Sequence, residues 1–94
     1  MAERFDLNEW ARLVLQAAGF ESFGDKRQAE DVRNKAEEAF NEFLGTMRRI
    51  RVSAETLVDE GMAKEREMAG CIYTAEKKYF RLLADGYLEA ALNV

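Results

Sequence analysis

Residues 29–57 read AEDVRNKAEEAFNEFLGTMRRIRVSAETL, and the spacing of their apolar side chains decides the fold class. Ala29, Val32, Ala36, Phe40, Phe43, Met47, Ile50, Ala54 and Leu57 recur at intervals of three and four residues. That spacing is close to the 3.5-residue repeat that keeps an apolar stripe turned toward a partner helix. The chain contains no proline, so no residue removes a backbone donor along the stripe. The pattern predicts one helix from about residue 25 to about residue 60. A competing break lies inside it, because Ser53 is a good N-cap and Ile50 and Val52 place two β-branched side chains just before it.

On the N-terminal side, Asp6 and Asn8 can each cap a helix that carries Leu7, Trp10, Leu13, Val14 and Ala17 on one stripe and stops near Gly19. Asp25, followed by Gln28, forms a capping pair for the second helix. Phe20 and Phe23 between them are expected to tuck beneath the helices. On the C-terminal side, Gly61 within the polar run DEGMAKERE (59–67) is the expected reversal. The last helix, 62–92, bears Ala69, Ile72, Tyr73, Tyr79, Phe80, Leu83 and Tyr87 at helical spacing. Its second half adds Leu82, Leu88, Ala91 and Leu92 and is apolar on two faces, so it requires two neighbours. Gly70 and Gly86 mark either bends or close helix approach.

The expected fold is therefore all-α and a single domain. A short N-terminal helix (about 6–19) packs on a long antiparallel helical hairpin (about 25–60 and 62–92) to make a three-helix bundle. At about 1.5 Å per residue the long arm spans roughly 50 Å, against about 20 Å for the first helix. The hairpin outruns its cover, which leaves Met47, Ile50, Ala54, Leu57, Val58, Met62 and Met68 as a candidate partner interface on a two-helix stem too small to bury them. A second copy, giving a homodimer with a coiled-coil seam, or another protein would cover it. Methionine suits such adaptable surfaces.

Hydrophobic residues are 48% of the 94 and charged ones 34%, too apolar for a disordered chain. The net charge of −4 divides into −2 over residues 1–24, −2 over 25–60 and zero over 61–94. So even a distribution argues against long-range attraction to nucleic acid. The local exception is the basic patch Arg48, Arg49 and Arg51, whose guanidinium groups suit phosphate; it carries the alternative function, a nucleic-acid-associated factor. Lys77, Lys78 and Arg81 form a second, smaller patch.

Chemistry is poorly provided for. The chain has no histidine for general acid-base work and one cysteine, Cys71, which allows no internal disulfide and is expected to be a buried, inert thiol. Tyr73 and Lys77 share the spacing of a dehydrogenase pair, but no glycine-rich nucleotide loop accompanies them. Glu30, Glu37, Glu38, Glu42, Glu65, Glu67 and Glu76 lie mostly off the seam and lack the histidine of di-iron bundles. No catalytic residue, cofactor or metal site is assigned. The start MAERFDLNEW lacks a basic segment followed by a long apolar run, which leads to an expected cytoplasmic location. No apolar run reaches the roughly 20 residues needed to cross a bilayer. The expected function is a non-enzymatic protein–protein interaction module: a small helical adaptor, assembly subunit, chaperone, or an inhibitor or regulator of the phage-encoded kind.

Overall fold

A computed structural model describes residues 6–94, and among them every regular element is helical. Four helices follow one another: α1 (Asn8–Ser22), α2 (Lys26–Arg49), α3 (Ala54–Ala69) and α4 (Thr74–Asn93). The expected long second helix is thus two helices, and the hairpin tip expected at Gly61 lies within α3 instead. The bundle has four helices where the sequence pattern predicted three.

The break at residues 50–53 has a specific backbone cause. Arg51 adopts φ 57°, its N–H donates to the carbonyl of Arg48 at 3.2 Å, and the N–H of Val52 donates to that of Met47 at 3.0 Å. These two bonds, from the residues just past a helix end back into its last turn, are the Schellman arrangement. Val52 packs, partly buried, against the core that contains Met47, in keeping with the apolar packing that accompanies the motif. Ser53 then caps α3 by accepting from the Thr56 N–H at 3.1 Å. The same arrangement closes α1: Gly24, at φ 82°, donates to the Glu21 carbonyl at 3.0 Å and Asp25 to that of Phe20 at 2.9 Å. Asp25 caps α2 through the Gln28 N–H. At one terminus glycine holds the left-handed position; at the other an arginine does.

The four helices pair as two hairpins, α1 on α2 and α3 on α4, with the lesser contact between them made by α1 and α4. Trp10 packs against Phe40 with ring centroids 5.4 Å apart and planes tilted by 52°, while Glu21 at the other end of α1 pairs with Arg33, so α1 and α2 run antiparallel. The main core gathers Leu7 and Ala11, Phe43, Leu44 and Met47, Leu57, and Leu83, Tyr87, Ala90 and Ala91. These come from the start of α1, the end of α2, the start of α3 and the second half of α4. The core therefore sits at one end of both hairpins, and the two turns, 23–25 and 70–73, point away from it. A radius of gyration of 13.9 Å, against about 12 Å for a compact chain of this length, agrees with two arms sharing a base.

Glycine permits the closest approaches. A Cβ on Gly86 would stand 2.5 Å from Cζ3 of Trp10 and 3.0 Å from Cδ1 of Leu7, and one on Gly61 would stand 3.1 Å from Cγ of Leu88. Gly86 is thus the α1–α4 crossing point and Gly61 an α3–α4 contact. The hydroxyl of Tyr79 donates to Asn8 Oδ1 at 3.0 Å, and that of Tyr87 accepts from the Leu7 N–H at 3.3 Å, fastening the start of α1 to α4. Along the outer part of the first arm, Ala17, Ala29, Val32 and Ala36 are buried. Along the predicted seam Ala29, Val32, Ala36, Phe43 and Met47 are buried and Phe40 is partly so, whereas Ile50 and Ala54 are exposed.

Candidate interaction surface

The small residues that bring α1 and α2 together leave larger ones beside them incompletely covered. Trp10, Val14 and Ala18 repeat every fourth residue along α1, and Ala36 and Phe40 face them from α2. Together with Glu21, Arg33, Glu37 and Glu89 they line a groove of about 490 Å³. Its floor is apolar and aromatic, and its rim is polar. Glu21 is engaged by Arg33; Glu37 and Glu89 have no cationic partner among the described residues. A trough of this kind recognises an apolar side-chain row and can orient it through the flanking carboxylates.

A second apolar surface lies at the turn of the other arm. Ile72 is 85% exposed and Tyr73 69%, and next to them Met68, Ala69, Thr74, Lys77, Lys78 and Arg81 line a shallow depression of about 430 Å³. None of the three cations has a carboxylate partner among the described residues. At the first arm's turn Phe23 is 91% exposed; it does not tuck beneath the helices, because the left-handed Gly24 that closes α1 leaves the turn at the end of the arm.

The residues assigned from the sequence do not form one surface. Met47 and Leu57 are fully enclosed, at 0% exposure, and Val58 packs against the same core. Ile50 and Ala54 flank the 50–53 break and are exposed, Met62 is half exposed on α3, and Met68 sits far from them at the α3–α4 turn. The stem dissolves because the chain folds back at Arg51. The basic patch is also divided: the Arg48 guanidinium donates to the Asn93 carbonyl, tying α2 to the end of α4, and Arg51 is carried off the helix by its left-handed backbone. Arg48 and Arg49 occupy the last turn of α2, where cations offset the helix dipole.

Cys71 lies in the α3–α4 turn, not on a helix, and is partly exposed. Its thiol donates to the Glu67 carbonyl at 3.2 Å, and burial together with the nearby Glu76 pushes its pKa up, which disfavours the thiolate. Among the described residues no three acidic or thiol side chains converge as metal ligands, and no helix is long and apolar enough to cross a membrane. Sequence pattern alone hides the groove, because Trp10 and Val14 fall on the stripe of α1 that reads as packing surface. The available signal was that α1 carries apolar residues around much of its circumference, including Leu13, Leu15 and Ala18, more than one neighbour can cover.

No protein-family model matches this chain, and no curated protein or solved structure is significantly similar to it.

Proposed function

We propose that this chain is a non-enzymatic protein–protein interaction module, acting in the cytoplasm as an adaptor, assembly subunit, chaperone or inhibitor, and that its working surface is the α1–α2 groove. The observation that carries this is the groove's aromatic and aliphatic floor, with Trp10 and Phe40 side by side and acidic groups at the rim. Aromatic anchors in concave apolar settings dominate binding energies between proteins. The surface replaces the stem of the sequence-based expectation, whose central residues hold the core together.

The test is a paired capture. Ala18 is exposed on α1 and lines the groove, so Ala18→Lys places a charge in the trough without touching the core. Native and Ala18→Lys chains of equal helicity, immobilised and exposed to extract of the source cells, are compared by mass spectrometry. A protein retained by the native chain and lost on the variant is the expected result. Identical captured sets would show that the groove is not the working surface.

A further inference from the structure

We propose that the α1–α2 groove is a docking site for the α3–α4 turn of a second copy of this chain; this rests on the groove being the working surface. The groove offers an apolar floor with two carboxylates, Glu37 and Glu89, that have no cationic partner among the described residues. The α3–α4 turn offers the complement: Ile72 and Tyr73 largely exposed, with Lys77, Lys78 and Arg81 beside them and without a carboxylate partner among the described residues. Matching an apolar patch to an apolar patch and opposite charges to each other is what fixes register and suppresses wrong partners at interfaces. The two surfaces cannot meet in the same way within one molecule. Lys77 and Glu89 are on the same helix, twelve residues apart, so α4 holds them about 18 Å from each other along its axis.

A two-fold arrangement satisfies both surfaces twice. Each copy lays its turn in the other's groove, so the contact closes at two chains and does not propagate. In that arrangement Ile72 and Tyr73 lie near Trp10 and Phe40, and Lys77 and Lys78 near Glu37 and Glu89. Trp10 is the chain's one tryptophan, so its fluorescence reports occupancy of the groove directly.

The test is light scattering coupled to size exclusion, with Trp10 emission recorded over the same dilution series, on the native chain and two exposed double variants. One is Lys77→Glu with Lys78→Glu; the other is Glu37→Lys with Glu89→Lys. The native chain should run at twice 10.8 kDa, with Trp10 emission shifting to the red on dilution as the groove opens to water. Each double variant, equal to native in helicity, should associate more weakly by at least about tenfold. An equimolar mixture of the two should recover the dimer, because every turn then meets a groove of opposite charge. A native chain that stays at 10.8 kDa throughout, or a dimer indifferent to both reversals, overturns the proposal. A monomeric native chain whose captured partner is lost on Ala18→Lys would overturn self-docking while leaving the groove as the working surface.

Discussion

Arg51→Gly should make the protein more stable. Arg51 holds φ 57°, a region that costs an L-residue about 1–2 kcal/mol, and its side chain is exposed with no hydrogen bond or ion pair to lose among the described residues. Glycine removes that strain and returns about 0.5–1 kcal/mol through its greater freedom in the unfolded chain. The net gain is about 0.5–1 kcal/mol, a rise in melting temperature of some 2–8 °C for a chain of this size. Were residues 25–60 one continuous helix, the same substitution would put glycine in a helix interior and cost about 1 kcal/mol. The two architectures thus predict opposite signs. Thermal and urea unfolding followed by circular dichroism decides, with Gly45→Ala as control: Gly45 is exposed in α2 and an added Cβ meets nothing within 4 Å, so that variant gains about 1 kcal/mol in either case. A destabilised Arg51→Gly beside a stabilised Gly45→Ala would refute the 50–53 break.

Gly86→Ala should go the other way from Gly45→Ala. Its new methyl meets the Trp10 ring at 2.5 Å, and an overpacking cost of about 1–3 kcal/mol outweighs the roughly 1 kcal/mol of helix propensity; an increase in the urea midpoint would refute the α1–α4 contact. Leu57→Asp places a charge at a fully enclosed position and should abolish cooperative unfolding and most helicity, whereas a folded variant that merely fails to associate would restore Leu57 to an interface. Burial pushes the Tyr87 phenol up to about 12. Because the folded value lies above the unfolded one near 10, the stability linked to it is intact below about pH 10 and is lost as pH rises through about 12. Tyr87→Phe should lose less stability over that interval, and an equal loss in both chains would show that Tyr87 does not titrate with folding.

Helix content, the Asp25 cap and the buried face of α2 as far as Met47 were legible because they rest on local signals: periodicity, a capping pair and the absence of proline. The break was legible only as the competing possibility, through the Ser53 cap and the β-branched Ile50 and Val52; it did not prevail because its left-handed residue is Arg51, and sequence marks that position clearly only when glycine or asparagine fills it. Two glycines pulled the other way. Gly61 reads as a stop in a polar run yet serves as a contact with Leu88, since a missing Cβ looks the same whether it permits a turn or a close approach. Once the chain folds back at Arg51, Met47 and Leu57, expected on an exposed stem, turn inward, and uncovered apolar surface lies on α1, where Trp10 and Val14 read as part of the packing stripe.

Backbone resonance assignment tests the two-hairpin architecture most directly, through the Cα secondary shifts of residues 45–65. Two hairpins sharing a base require helical shifts that cease at Ile50–Ser53, with Arg51 in the left-handed region, and that resume at Ala54 and run unbroken through Gly61 to Ala69. Helical shifts continuing without interruption across residues 50–53 and ending at Gly61 would contradict it.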